Sequence, residues 1–308
     1  MRVEANHVAP ASVPPTKTRN ARPDKPVKPK RRIKLSFFGV TRLLFTLVVI
    51  TGILYAVYRI GSVPKRYNIL VIGSDQRSDE PGRSDVLMVV SLTKSPKVPQ
   101  SIVTIPRDTR VEVPGFGKQK IAHAYAFDVD RSDGKNLGNK DLTKRVVENL
   151  LNMYVDATVE ITFASFQQII DKLGGVTTEA NGQLNGEEAL KIVRDRFREG
   201  GDFARTADQR EILVQTVQTI KSKNALSGVY DFVKNSSESR ITMNTPSFAA
   251  FFAYAVVRRG GSFSLENMHT DVVPGSGKMI YTPEFGKELY YWVPDAAGMK
   301  KLVHDWLS

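Results

Sequence analysis

Four short clusters in this sequence combine arginine with carboxylate side chains at spacings that favour a shared binding pocket. They are the pairs Asp75 and Arg77, Arg83 and Asp85, Arg107 and Asp108, and a longer segment from Arg194 to Arg210. Guanidinium groups bind phosphoryl oxygens through a planar fork, and Mg²⁺ needs only one or two protein carboxylates when phosphate oxygens complete its coordination. The clusters therefore predict a pocket for a diphosphate and a divalent metal.

The first two clusters flank a loop between two predicted strands, 67–73 and 86–92. In extended backbone, residues i and i+2 share a face, so each arginine can aim at the same point as its carboxylate neighbour. We predict that Asp75 and Asp85 hold Mg²⁺ or Mn²⁺. The alternative is a pair of turn-stabilising aspartates in surface ion pairs, which is the commoner arrangement when such a loop is taken alone.

The third cluster, Arg107 and Asp108, ends a predicted strand over 101–105 and shifts the balance towards a binding site. Its guanidinium would face the same crevice, and Lys120, which follows a Pro and Gly loop, adds a further positive charge. His123 is interpreted as a packing or hydrogen-bonding residue rather than a general base. With four histidines and no GxxxxGK motif, a histidine metal cluster and nucleotide binding are both disfavoured.

The fourth cluster precedes and enters a predicted helix over 205–222. Arg194 and Arg196 converge only if the chain is extended there, because residues two apart do not share a helix face, and we predict that it is extended. Spacings of three and four place Asp202, Arg205 and Gln209 on one face, with Asp202 orienting Arg205. The alternative, a solvated charged loop, does not explain why the arginines concentrate here.

Strands and helices alternate along the chain from residue 67 onward. Further strands are predicted over 158–162 and 268–273, and further helices over 142–153, 163–173, 184–192, 246–258 and 296–306. This order predicts an α/β fold, a three-layer αβα sandwich with a central mixed sheet, in which ligands bind beyond the strand ends. The charged clusters fall at those ends.

The N-terminal segment 1–34 carries most of the excess charge of this 308-residue chain. It contributes +8 of the net +12, is rich in proline, and is predicted to be a disordered cytoplasmic tail. Only +4 remains for the other residues, so no nucleic-acid partner is expected.

A membrane-spanning signal anchor is predicted over 35–61, because the stretch 43–58 is uncharged and flanked by Arg42 and Arg59. A buried helix fits poorly because the stretch is apolar on all faces, and a cleaved signal peptide fits poorly because no Ala-x-Ala site follows. The basic tail predicts a cytoplasmic N-terminus and a single-pass protein of the cell membrane, with residues 65–308 extracytoplasmic. The absence of cysteine agrees with an exported domain.

These motifs together resemble the LytR-CpsA-Psr (LCP) family of bacterial cell-envelope proteins. The resemblance covers roughly 67–221 and is carried by the stretches NILVIGSDQR, GRSDVLMVVS, SIVTIPRDTRVEVPG, KIAHAYA, DKLGGV, LNGEEALKIVRDRF and GDFARTADQR. Two residues depart from the family pattern: Asp208 stands where a basic or amide residue is frequent, and Ala204 replaces a common glycine. Beyond Asn224 the resemblance is only architectural.

The resemblance implies a metal-dependent phosphotransferase that moves a glycopolymer, such as teichoic acid or a capsule-like polymer, from polyprenyl diphosphate to peptidoglycan. The lipid would occupy an apolar tunnel, and the metal would bind Asp75 and Asp85. The implied diphosphate-binding residues are Arg83, Arg107, Lys120, Arg194, Arg196 and Arg205, with Gln209 as a polar partner and Asp202 orienting Arg205. Of all these residues, Arg107, Asp75 and Arg205 are the expected catalytic residues, and pyrophosphatase activity is an expected side reaction.

Two other classes of function stay open. One is a membrane-anchored regulator of the transcriptional attenuator type, whose basic tail touches nucleic acid or acidic lipid. The other is a glycan- or lipid-binding module without catalysis. Ten basic tail residues beside a membrane are better explained by orientation and by anionic head groups, each worth about 1 kcal/mol near the surface. The general base is also open, with Asp75 and Asp108 as candidates.

Overall fold

The computed structural model describes residues 37–61, 63–75, 82–129, 132, 134–135, 137–195, 201–258, 268–283 and 286–308. The chain divides into two compact units, Met1–Leu54 and Tyr55–Ser308. The described part of the first unit is residues 37–54, which belong to helix α1 (Phe37–Gly61). Among the described residues, no helix combines the length and apolar character that crossing a bilayer requires. The predicted anchor over 35–61 is therefore not confirmed, and the predicted tail falls outside the described residues.

The second unit contains twelve strands within its described residues. In chain order they are β1 (Arg66–Ser74), β2 (Ser84–Thr93), β3 (Ser101–Thr104), β4 (Arg110–Val113), β5 (Gly117–Lys120), β6 (Ala157–Thr162), β7 (Val176–Thr178), β8 (Gly182–Leu184), β9 (Ser239–Met243), β10 (His269–Val272), β11 (Gly275–Thr282) and β12 (Lys287–Pro294). Six of them form a central sheet in the order β10, β3, β2, β1, β6, β9. The sheet is mixed, because β6 is parallel to β1 and β10 to β3, whereas the other neighbours are antiparallel.

Helices cover both faces of this sheet. They are α2 (Lys140–Leu151), α3 (Phe163–Lys172), α4 (Gly186–Arg194), α5 (Gly201–Ser222), α6 (Leu226–Asn235), α7 (Thr245–Arg258) and α8 (Ala296–Trp306), with a 3₁₀ helix at Ile121–Tyr125. Alternate residues of β2 point to opposite faces. Leu87 and Val89 pack in one core with α2 and α8, whereas Val86 packs in another with α3, α4 and α5. This arrangement confirms a mixed-sheet αβα sandwich.

The strands and helices predicted from the sequence are confirmed to within a few residues. Helix α4 shows why its start was predictable: the Asn185 side chain accepts a hydrogen bond from the Glu188 backbone, and the Glu188 carboxylate accepts one from the Asn185 backbone, both at 2.9 Å. The prediction of extended backbone at Arg194 is wrong, because α4 continues through that residue. Extended geometry begins at Asp195, which has φ −66° and ψ 116°.

Candidate functional site

A β-bulge at the start of β2 places Asp85 in the candidate site. On β1, Gly73 pairs with Val86 and Ser74 pairs with Ser84, so Asp85 is an extra residue without a direct partner. A bulge of this kind bends the strand and re-aims a side chain. The Asp85 carboxylate accepts a hydrogen bond from Nη1 of Arg107, and the two side chains are 10% and 19% exposed. The pair is therefore shielded but reachable from solvent.

Asp108 and Lys120 extend this contact into a continuous set of charges. Nζ of Lys120 lies 2.6 Å from Oδ1 of Asp108, and Nε of Arg107 lies 3.9 Å from Oδ2 of the same carboxylate. We call Asp85, Arg107, Asp108 and Lys120 the ion-pair chain. The hairpin of β4 and β5 delivers Lys120, and a hydrogen bond of 3.2 Å from Ala122 N to Arg107 O joins the two segments. Two residues predicted separately, Arg107 and Lys120, are thus brought together.

Residues of strand β12 contact the ion-pair chain. These contacts were not predicted from the sequence. The buried ring of Tyr291 lies 5.7 Å from Nζ of Lys120 and 5.7 Å from the guanidinium carbon of Arg110. The next residue, Trp292, donates its backbone N–H to the Asp108 carbonyl at 3.0 Å. The aromatic run Tyr290, Tyr291, Trp292 was the available signal, but nothing local showed that it lies beside Lys120.

Asp75 closes the loop between β1 and β2. Its carboxylate accepts a hydrogen bond from Arg83 N at 2.9 Å, and its own N–H donates to Arg83 O at 3.4 Å. The turn-stabilising role weighed for Asp75 is therefore present in the structure. Asp75 and Asp85 lie at the same edge of the sheet, whereas Arg77 falls outside the described residues.

The donor set fits a metal that the substrate helps to hold. The described residues contain no group of three or more His, Cys, Asp or Glu side chains able to bind an ion. Asp75 and Asp85 nevertheless supply the one or two carboxylates that Mg²⁺ requires when phosphate oxygens and water fill the other positions. Because Arg107 holds Asp85, phosphate oxygens and this carboxylate would compete for the same guanidinium.

His123 lies among the charged residues of the candidate site. Its Nδ1 lies 3.2 Å from Oε1 of Gln119, in agreement with the predicted hydrogen-bonding role. Burial, followed by the positive charges of Arg83, Lys120 and Arg107, lowers the pKa of the imidazole below 6.5. The Asp108 carboxylate opposes this shift, so cations and a carboxylate of the candidate site both act on the imidazole.

The fourth cluster lies where α4, α5 and the start of α3 meet. The guanidinium carbon of Arg194 is 5.4 Å from the centroid of the Phe163 ring, and Arg205 is only 5% exposed. Nε2 of Gln209 donates to Val193 O at 3.0 Å and so ties α5 to α4. Asp202 is in the first turn of α5, but its side chain is not described. Arg196 lies outside the described residues.

An apolar cavity of about 100 Å³ lies directly beneath this cluster. Strands β1, β2 and β6 form one wall, and α3 and α5 form the other. Gly73, Phe163 and Gln209 line it and mark the end nearest to the charged residues. A Cβ atom on Gly73 would come within 2.8 Å of the Val86 Cβ, so this position has room only for glycine. An apolar space below a set of cations suits an amphiphilic anion.

A sequence model of the LytR_cpsA_psr family matches this chain over residues 56–183 and 178–305, so the match continues well beyond Asn224. A Bacillus anthracis protein named polyisoprenyl-teichoic acid–peptidoglycan teichoic acid transferase TagU is 31% identical over 246 residues, which are 75% of each chain. The crystal structure of TagV from B. subtilis is 28% identical, with a TM-score of 0.58 over 77% of this chain and 94% of TagV. The structure of YwtF (TagT) with bound octaprenyl pyrophosphate shares the fold, with 23% identity and a TM-score of 0.55 over 79% of this chain and 91% of that one.

Proposed function

This chain belongs to the LytR-CpsA-Psr family, and we propose that it transfers a glycopolymer from a polyprenyl diphosphate carrier to peptidoglycan. The observation that supports the proposal is the position of the apolar cavity beside the fourth charged cluster. Gln209 lines the cavity, and so does Phe163, whose ring contacts the Arg194 guanidinium. Gly73 lines the cavity while Asp75, two residues later, lies at the charged edge. A donor with a hydrocarbon tail and a diphosphate head matches both surfaces at once.

The cations of the site would bind and neutralise the diphosphate. Arg107 supplies a guanidinium fork, and Lys120 supplies a point charge held in place by Asp108 and Tyr291. Preorganised donors of this kind stabilise charge that develops on the leaving group, and losing one typically costs 10²–10³ in rate. Arg83, Arg194 and Arg205 would complete the set around the same edge.

Asp75 and Asp85 would hold Mg²⁺ with the diphosphate oxygens. The ion would supply charge neutralisation and would polarise the phosphoryl group. In the structure the Asp85 carboxylate is bound by Arg107. Diphosphate oxygens that take over the Arg107 fork would release this carboxylate, so metal and substrate would bind together rather than independently.

The reaction would be a displacement at the sugar-proximal phosphorus. An acceptor hydroxyl of peptidoglycan would form the new P–O bond, and the bond to the polyprenyl phosphate would break as that phosphate leaves. The hydroxyl proton would pass to a base, for which Asp75 and Asp108 remain the candidates. Water in place of the acceptor would give the pyrophosphatase side reaction. We propose that the anchor over 35–61 keeps the domain on the outer face of the membrane, beside its lipid-linked donor.

The decisive experiment uses the full-length chain in detergent with a polyprenyl-diphosphate oligosaccharide and peptidoglycan. We expect attachment of the glycan and release of polyprenyl phosphate, both dependent on added Mg²⁺. The variant Asp85→Asn should need at least about tenfold more Mg²⁺ for half-maximal rate, which corresponds to about 1.4 kcal/mol. The control Asp141→Asn, which removes a carboxylate that is 73% exposed on α2, should behave like the wild type.

The other two classes of function give different results in the same assay. Lipid binding without attachment or hydrolysis, with several donors, would replace the transferase by a binding module. Removal of residues 1–30 should leave transfer intact. A regulator acting through its basic tail would lose its function in that variant and would show no dependence on the donor.

A further inference from the structure

A second, larger opening lies between α3, α6 and the turn that leads into β9. It is a polar cleft of about 610 Å³, within the range of small-molecule sites. Its walls carry hydroxyl, amide and carboxylate groups. The main contributors are Ser165, Gln168, Asp231, Asn235, Ser237 and Glu238. None of these residues belongs to the proposed diphosphate site.

The chemistry of the walls suits a polyhydroxyl ligand. An amide both donates and accepts hydrogen bonds, as a sugar hydroxyl does. In the part of the chain that the structure describes, the side chains of Gln168, Asp231 and Asn235 form no hydrogen bond or ion pair, so they are available to a ligand. Phe232 adds an aromatic ring to the cleft, with Nζ of Lys172 lying 5.2 Å from its centroid.

The cleft is connected to the diphosphate site through the first turn of α3. Phe163, whose ring contacts Arg194 and lines the apolar cavity, is two residues before Ser165 of the cleft. The opposite wall is fixed to the end of β6. There, Thr162 donates its backbone N–H to Glu238 O at 3.1 Å and its hydroxyl to Glu238 Oε2 at 2.8 Å. The cleft therefore starts at the same sheet edge as the proposed reaction centre.

The charges of the cleft distinguish between the two saccharides of the proposed reaction. Asp231 and Glu238 are balanced by Lys172 and by Lys135, whose Nζ lies 2.6 Å from Ser236 O at the cleft wall. The cleft therefore has no excess of positive charge to attract a polymer rich in phosphate, whereas the hydroxyl groups of a glycan strand without phosphate need only its hydrogen-bonding groups. We propose that this cleft binds the sugar rings of the peptidoglycan acceptor and guides its hydroxyl to the diphosphate. This inference rests on the proposed transfer reaction, whose acceptor side it assigns to α3 and α6.

Gly228 allows the cleft to be filled without altering its hydrogen-bonding groups. It lies on α6 at the cleft wall, and a Cβ atom built there has no neighbour within 4 Å. A side chain added at this position therefore starts in open space, and the indole of Gly228→Trp should extend into the cleft. Gly228→Ala is the matched control, because it changes the same backbone position but adds only a methyl group.

We expect Gly228→Trp to raise the KM for peptidoglycan at least about tenfold, with the KM for the lipid-linked donor unchanged and Gly228→Ala equal to the wild type. Unchanged constants for both substrates would overturn the inference. A rise in the KM for the donor alone would overturn it too, by assigning the cleft to the donor glycan.

Direct binding separates this inference from the proposed reaction. The probe is a soluble, uncrosslinked peptidoglycan fragment added to the full-length chain without a donor, with heat of binding as the readout. Binding to the wild type and to Gly228→Ala, but not to Gly228→Trp, would support the cleft even if no attachment were ever seen. Equal binding to all three proteins would overturn the inference even if transfer were fully active.

Discussion

The ion pair of Asp85 with Arg107 and that of Glu160 with Arg240 consist of the same two chemical groups in different surroundings. The Glu160 side chain is completely buried, and its second oxygen accepts a hydrogen bond from the Tyr125 hydroxyl at 3.2 Å. The Asp85 pair is shielded but reachable, and further cations converge beside it. The Glu160 carboxylate has no access to solvent and cannot exchange its partner for a ligand, whereas the Asp85 pair can give up one partner to a ligand.

We call the pair of Glu160 with Arg240 the closed pair and the pair of Asp85 with Arg107 the open pair. The closed pair also stabilises the segment beside the open pair. Tyr125 is the last residue of the 3₁₀ helix that directly follows Lys120, and burial together with the Glu160 charge raises the pKa of its hydroxyl. The hydroxyl therefore stays protonated and continues to donate to Glu160. The segment that carries Lys120 and His123 is therefore anchored by the hydrogen bond from Tyr125 to Glu160, which is buried out of reach of a diphosphate.

The largest effect should come from breaking the closed pair. We expect Glu160→Ala to lower the free energy of unfolding by about 3–5 kcal/mol, because it leaves the Arg240 guanidinium without its buried carboxylate. Urea denaturation measures this difference. Asp85→Ala is the comparison, and it should cost less than about 1 kcal/mol. Equal costs for the two variants would show that the distinction between closed and open pairs is wrong.

Breaking the open pair should affect activity instead of stability. Arg107→Ala should reduce the rate of transfer about 10²–10³-fold, because the developing charge on the leaving phosphate loses one donor. Arg107→Lys should recover only part of the rate, since an ammonium group lacks the fork. Single-turnover transfer and a melting curve together make the test. Full activity of Arg107→Ala in a folded protein would contradict the assignment.

A smaller loss of stability is expected from Tyr125→Phe. The change removes only the hydroxyl, so the Glu160 carboxylate loses one hydrogen bond and the free energy of unfolding should fall by about 1.5–3 kcal/mol. Tyr291→Phe, which removes another buried tyrosine hydroxyl, serves as the control for loss of a phenol without a charged partner. If Tyr125→Phe lowers the free energy of unfolding no more than this control does, the hydrogen bond to Glu160 does not contribute to stability.

The smallest effect is a dependence of stability on pH. The pKa of His123 is lower in the folded protein than 6.5, so between these two values the unfolded chain binds more protons. This part of the stability is therefore complete above pH 6.5 and is lost as the pH falls through the folded pKa. His123→Asn should remove this part of the acid sensitivity. The same slope in both proteins, from denaturation at pH 7 and pH 5.5, would refute it.

The sequence predicted the elements whose signals are local. The capping pair Asn185 and Glu188 marked the start of α4, and alternating apolar residues marked β1 and β2. The hairpin β4–β5 was interpreted as a loop around Pro114 because its strands are only four residues long. Strands β7 and β8, which pair with each other, were missed because each has only three residues. Strand β9 was missed because it pairs with β6, which is far away in the chain. The hairpin of β11 and β12 and helix α6 were also missed.

The residues proposed for the site were visible in the sequence, whereas their contacts were not. Arg83, Arg107 and Lys120 were predicted to share one site; in the structure Arg107 and Lys120 both lie beside Asp108, and all three positive charges lower the pKa of His123. The contact of Asp85 with Arg107 depends on a bulge whose register only the pairing of β1 with β2 reveals. Extended backbone was wrongly predicted at Arg194, which is the last residue of α4, because a run of charged residues does not show where a helix ends. Tyr291 is 171 positions after Lys120 in the sequence, so no local pattern predicts its support of the site.

The small volume of the apolar cavity should limit how fast the proposed donor binds. An engineered cavity of about 150 Å³ binds benzene, and this one has about 100 Å³. A polyprenyl chain is much longer than benzene, so its entry would require α3 and α5 to separate from the strands beneath them. If this open form is a minor fraction of the population, the measured affinity for the donor is reduced by that fraction. Substitutions that loosen the packing of Ile212 on α5 against the sheet should therefore destabilise the protein and yet speed the capture of the lipid.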